Sequence, residues 1–145
     1  MKFLFVCSHQ IQNLIPLFKE LNKIKDINFK VIYWEEISND HFDEEFNQII
    51  NFNIDLYDGY NFSSLSNKKN TTANFFTFFN KLKILLKLIK YLIKEDFDSI
   101  LFYGYSFPHI VAAIISKILG KKTILRSVSY NLGNRKIFKK IIRNI

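Results

Sequence analysis

A chain of 145 residues that is 48% hydrophobic, with only four Gly, two Pro and one Cys, excludes a disordered, collagen-like or disulfide-stapled protein. It is long enough to bury one core, so residues 1–145 are expected to form a single domain. The net charge of +8 is uneven, with seven Lys/Arg against ten Asp/Glu in residues 1–78 and fourteen against three in residues 79–145. The basic half suits an anionic membrane surface or a phosphorylated substrate as well as it suits a plain solvated face. Nucleic acid is not expected, because the aromatics fall at core positions and not along a basic groove.

Lys2–Cys7 (KFLFVC) is a short continuous apolar run, the pattern of a central parallel strand buried on both faces. Its apolar part is too short for a signal peptide, and no apolar run in the chain is long enough to span a bilayer. A cytoplasmic protein is therefore expected, peripheral at most to the inner face of the membrane. Cys7, at the end of the strand, reads as core packing. Ser8–Asn13 is a polar loop, and Leu14–Lys25 follows with apolar residues on one helical face, Asn13 as N-cap and Pro16 in the first turn. Asn28–Trp34 predicts a second strand, which makes the opening unit β-α-β.

A third strand is expected over Gln48–Ile54 and a loop over Asp55–Asn70. Thr72–Lys94 is the longest helical pattern, with Lys83, Lys87, Lys90 and Lys94 spaced four, three and four apart along one stripe. It reads as a helix buried over most of its circumference with a narrow basic strip outside. Ser99–Tyr103 predicts a fourth strand, Pro108–Leu119 a helix stopped by Gly120, Lys121–Arg126 a fifth strand, and Arg135–Ile145 a basic amphipathic helix. The alternation predicts an α/β fold, a Rossmann-like open parallel sheet of about five or six strands with helices on both faces.

Ligands of such sheets bind outside the carboxyl ends of the strands. The turns expected there carry His9 and Gln10, Asp58 and Tyr60, Gly104, Tyr105 and Ser106, and Arg126 and Ser127. Hydroxyl, imidazole and amide groups suit a hydroxyl-rich ligand. The turn at Gly104 is neither a dinucleotide fingerprint nor a nucleophile elbow, and the chain holds no Walker motif. Arg126, at the end of an expected buried strand, calls for a carboxylate or phosphate partner. Asp58-Gly59 also fits a simple turn, and His109, just inside a helix, fits a packing or capping role. His9, His41 and His109 lack metal-site spacing and one cysteine builds no zinc site, so no metal or other cofactor is expected.

The order of these elements, the segment Ile54-Asp55-Leu56-Tyr57-Asp58-Gly59-Tyr60, the turn Tyr103-Gly104-Tyr105-Ser106 and the stretch Arg126-Ser127-Val128-Ser129 together resemble the N-terminal domain of GT-B glycosyltransferases of the family 4 kind. In that family a D-x-x-L-x-x-G-Y-like segment follows the third strand. Many relatives carry a histidine pair where Gly104-Tyr105-Ser106 stands. The resemblance covers nearly the whole chain. It implies an acceptor-side domain, inactive alone, facing a second domain that holds the nucleotide sugar and the family's paired glutamates. That domain would be a missing C-terminal half or a partner chain. The acceptor would be a glycan or a lipid-linked glycan. The resemblance also implies that the lysine stripe touches a bilayer, against the plainer reading of a core helix with a wet edge. A non-catalytic membrane or scaffold subunit that recruits a catalytic partner is the alternative function.

Overall fold

The computed structural model describes residues 1–37, 40–43, 48–51, 55–66, 69–70 and 78–126. Strand β1 (Lys2–Cys7) is followed by helix α1 (Ile15–Lys23) and strand β2 (Asn28–Tyr33). Short strands β3 (Glu36–Ile37), β4 (Asp40–Asp43), β5 (Gln48–Asn51), β6 (Phe62–Ser64) and β7 (Lys69–Asn70) come next. Helix α2 (Phe78–Lys94), strand β8 (Ser99–Tyr103), helix α3 (Phe107–Ile118) and strand β9 (Lys122–Arg126) follow.

Five of these strands form one all-parallel sheet in the order β6-β2-β1-β8-β9, the expected Rossmann-like α/β architecture. The period of two along each strand divides the core between the two faces. Phe5 and Cys7 point with Val31 and Tyr33 toward α1, where Ile15, Phe18, Leu56 and Tyr60 complete one cluster. Leu4 and Val6 point with Ile32, Ile100 and Phe102 toward α2 and α3, where Leu85, Leu88, Leu92, Ala112 and Ala113 complete the other. β1 is apolar throughout its middle because both of its faces are covered, and Cys7 is fully buried, as expected. Ala112 and Ala113 have side chains small enough for α3 to lie close to the sheet and to α2.

Several expectations shift in detail. Asn13 does not cap α1. A 3-10 turn over Gln12–Leu14 leads into the helix, Leu14 is its N-cap without a side-chain bond, and Pro16 sits in the first turn. The strand expected over 48–54 exists as β5, but it pairs antiparallel with β4 in a separate two-stranded ladder. The position beside β2 is taken by β6, inside the stretch expected to be loop, in register from Val31↔Phe62 to Tyr33↔Ser64. β3 and β7 make another two-stranded ladder. Gly120, at φ 77°, ends α3 as expected, its N–H bonded to the Lys117 carbonyl at 3.0 Å. The helix expected over 135–145, the residues 72–77 and His41's side chain lie outside what the structure describes.

Candidate functional site

From β1 the chain moves to β2 on one side, while β8 lies on the other. The connections leaving β1 and β8 also part to opposite faces, β1 toward α1 and β8 toward α3. The carboxyl ends of β1 and β8 therefore flank the topological switch point, the place where open parallel sheets hold ligands. The turn after β1 places half-buried Ser8 and exposed His9 on this rim, with Ser8 Oγ 2.9 Å from His9 Nδ1. The turn after β8 places Tyr105 and Ser106 beside it, Tyr105 being 42% exposed. Gly104 has φ 114°, a conformation that a side chain resists. Its N–H donates to the Arg126 carbonyl at 2.7 Å, which ties the end of β9 to the same rim.

Beneath the turn lies His109, which is 1% exposed. Its ring stands 4.4 Å from that of Trp34 and 6.0 Å from that of Phe102. Burial lowers its pKa to about 4, against the bond to Gly104 that pulls the other way, so the imidazole is neutral at pH 7. A carbonyl only accepts, so the single ring proton sits on Nδ1 and is donated to the Gly104 oxygen at 3.1 Å. The His109 backbone N–H meets Ser106 Oγ at 3.4 Å, which makes Ser106 the N-cap of α3. His109 thus packs and latches the rim from below, in line with the structural role expected for it.

The start of α3 is a poor phosphate cradle. Pro108 lacks an N–H, that of His109 is bound to Ser106 Oγ, and that of Ile110 goes to the Ser106 carbonyl at 3.0 Å. Of the first-turn positions, Pro108 and His109 thus have no donor to offer an anion and only Phe107 is left to supply one, fewer than the N-termini that bind pyrophosphate present. The turns 8–10 and 104–106 carry no Lys or Arg. Neutral hydroxyl, imidazole and phenol groups dominate the rim, with Arg126 at its edge. Arg126 is exposed at the end of a strand whose side chains alternate between exposed and half-buried, so it bears no buried-charge cost; this corrects the expectation that it needs a paired anion.

No family model and no curated protein matches this chain. Among solved structures, the C-terminal domain of a hydrogenase from Pyrococcus furiosus is similar, with a TM-score of 0.54 at 13% identity over 86% of this chain and 89% of that one. The likeness is one of fold.

Three of the expected site positions do not join the rim. Gln10 is 3% exposed and belongs to the interior. Tyr60 is buried in the aromatic cluster, where its hydroxyl donates to the Leu56 carbonyl and receives a bond from the Tyr33 hydroxyl at 2.8 Å. Burial raises its pKa to about 12. Asp58 is exposed, but its turn precedes β6 instead of following a strand of the parallel sheet. The Gly59 carbonyl accepts from Asn22 near the end of α1, and the Asn61 carbonyl accepts from Val31, short of the carboxyl end of β2. The physical reason is the changed strand assignment: the loop enters β6 from the α1 side, so it cannot also leave a strand at the rim. Ser127 lies outside the described residues.

Two rim residues were not anticipated. Trp34 and Glu35 follow β2, with the Trp34 N–H on the Cys7 carbonyl and the Glu35 N–H on the Ser8 carbonyl, both at 3.1 Å. Their signal was position: they are the first residues beyond an apolar strand. At the opposite end of the sheet a groove of about 480 Å³ is lined by Met1, Asp96, Asp98 and Lys121 among others. Its polar groups hold the fold together. Asp98 accepts from the Lys2 N–H at 2.6 Å, the Met1 amine donates to the Asp26 carbonyl at 2.9 Å, and Lys121 donates to the Phe97 carbonyl at 3.2 Å.

Proposed function

We propose that this chain is the acceptor-side half of a GT-B type glycosyltransferase, a domain that holds the hydroxyl-bearing substrate while a donor-binding domain, on this or another chain, holds the nucleotide sugar. The observation that carries the reading is the switch-point rim. There Ser8, His9, Tyr105 and Ser106 gather neutral hydrogen-bonding groups beside a helix start that has little to give a diphosphate. Such a rim suits a saccharide better than a nucleotide. In sugar transfer the acceptor hydroxyl must be held in line with the anomeric carbon while the departing diphosphate is stabilised elsewhere. His9, exposed and beside Ser8, is placed to accept a proton from that hydroxyl. Glu35, whose backbone N–H bonds the Ser8 carbonyl at 3.1 Å, brings a carboxylate-bearing residue next to this turn to share the work.

The test is a titration of the labelled protein, followed by amide resonances, with free saccharides and separately with nucleotide sugars. The expected result is shifts confined to Ser8, His9, Tyr105 and Ser106 with saccharides, and none at the start of α3 with nucleotide sugars. Pairing the chain with a donor-binding domain should then give transfer that falls by about tenfold to a thousandfold in His9→Ala. A saccharide response without transfer in any pairing would leave a non-catalytic recruiting subunit. No response to either ligand class would remove the proposal.

A further inference from the structure

Helix α2 carries more on its outside than a basic strip. Phe79, Leu82, Leu86 and Ile93, spaced three, four and seven apart, form a row that points away from the core, with Phe79 at 72%, Leu86 at 60% and Ile93 at 66% exposure. This corrects the expectation that all but the lysine edge of the helix would be buried. Ile84, Leu85, Leu88 and Leu92 are buried against the core, with Ile89 and Tyr91 half-buried at its margin. Beside the apolar row runs a second row, the exposed Lys83, Lys87, Lys90 and Lys94. Lys87 is steered toward the sheet edge by a 2.7 Å bond to the Leu65 carbonyl. The neighbouring helix α3, on the same face of the sheet, turns Phe107, Ile114 and Ile118 outward, the last 78% exposed, with Lys117 among them. Neither helix contains an Asp or Glu.

The geometry points to this outer surface of the α2–α3 layer as a docking face for an anionic lipid bilayer, with α2 lying in the plane of the interface. Three features select this occupant. The outward apolar residues are largely aliphatic and the rest, Asn80 apart, are lysines, a type that protein–protein interfaces deplete. Lysine stems lie along apolar surface while their ammonium groups stay in water at the height of lipid headgroups, which suits two parallel rows on one helix. The charge is of one sign along the whole helix, complementary to acidic lipid. No described helix is long and apolar enough to cross a membrane, so the contact lies on the surface. Docking stands independently of sugar transfer. Where it rests on that reading, it narrows the acceptor to a lipid-borne one, because Phe107 of the docking face adjoins Ser106 of the rim.

The experiment is sedimentation of the full chain with vesicles of phosphatidylcholine alone and of phosphatidylcholine mixed with phosphatidylglycerol, with amide exchange read over α2. Binding is expected to the mixed vesicles only, with protection along the outward side of α2. Replacing Lys83, Lys90 and Lys94 by Gln should weaken it on the order of a hundredfold, at about fivefold per lysine. Leu86→Ser and Ile93→Ser should each weaken it about tenfold. All variants should melt like the parent, since these side chains lie outside the core. Equal binding to both lipids, or variants that bind like the parent, would overturn the proposal. So would outward α2 side chains already shielded without lipid, read as slow reaction of Leu86→Cys and Ile93→Cys variants with a thiol reagent: at all concentrations a segment of this chain covers the face, and only at high concentration a second copy does. Transfer assays read a different quantity, so failure of vesicle binding and failure of the sugar reading remain separable.

Discussion

On the α1 side of the sheet the core is aromatic and closes on itself. Phe18 meets Phe5 at 4.8 Å, Phe29 at 5.7 Å and Tyr60 at 5.5 Å between ring centroids. Tyr33 and Tyr60 lead their hydroxyls inward to the Leu56 carbonyl. On the other side aliphatic residues of α2 and α3 pack on Leu4, Val6, Ile100 and Phe102, and a comparable set of apolar residues is left pointing outward. One helix and one loop thus close the aromatic cluster of the first face, leaving Leu17, Ile24 and Ile124 as its exposed margin, while two helices cover the second and turn a longer hydrophobic row outward. The difference separates residues that make the fold from residues the fold does not need, and mutation can sharpen or break that separation.

The largest effect is expected at Phe18, which has no exposed surface and touches three rings. Phe18→Ala should destabilise by about 3–5 kcal/mol, and Leu88→Ala, equally buried under α2, by about 2–5 kcal/mol. Denaturant midpoints measure both. A Phe18 variant no less stable than the parent would mean that the aromatic face does not hold α1.

Between the two faces, at the rim, the expected effect is one of pH. The ordinary value for His is about 6.5, and burial holds His109 at about 4. As pH falls below 6.5 the unfolded chain gains a proton that the folded chain refuses until about pH 4. Stability should therefore fall through that window by about 3 kcal/mol and recover as pH rises. His109→Phe keeps a ring against Trp34 and removes the titration. Its unfolding free energy should lose correspondingly less between pH 7 and pH 4 than that of the parent. Parallel pH profiles would show that His109 does not stay neutral inside the fold.

Tyr60→Phe comes next, at about 1–2 kcal/mol, because the change leaves the Leu56 carbonyl and the Tyr33 hydroxyl without the group between them. That residue also marks where sequence reading stopped. The parallel sheet, α1, α2, α3 and four of its five strands were legible because KFLFVC, NFKVIY, SILFY and KTILR are apolar or β-branched runs separated by helical periods. β6 was not, since Phe62-Ser63-Ser64 is three residues long and mostly polar; its strand character comes from the free edge of β2, a tertiary fact. Without β6, the pattern puts the Asp58–Tyr60 turn after a strand of the parallel sheet instead of before one, and makes a ligand of a tyrosine that serves the core. His9, Gly104 and Ser106 were legible because a polar turn directly after an apolar strand must lie at the carboxyl rim once the sheet is parallel. The buried state of Gln10 and the contact between Trp34 and His109 depend on side-chain packing that no periodicity encodes.

The smallest expected effect is the most informative about the second face. Leu86→Ser and Ile93→Ser remove apolar groups that the folded chain leaves mostly in water, so the transfer free energy they contribute to folding is small. Some loss of helix propensity remains, a few tenths of a kcal/mol per site. Each variant should therefore stay within about 0.5 kcal/mol of the parent, measured by denaturant midpoint in the absence of lipid. A loss of several kcal/mol would show that the outward row is covered within the protein itself, and the contrast between the two faces would disappear. A negligible loss, set beside the collapse expected for Phe18→Ala, would establish that the outward hydrophobic row of α2 is retained at no benefit to folding, which leaves contact with something outside the chain as its physical use.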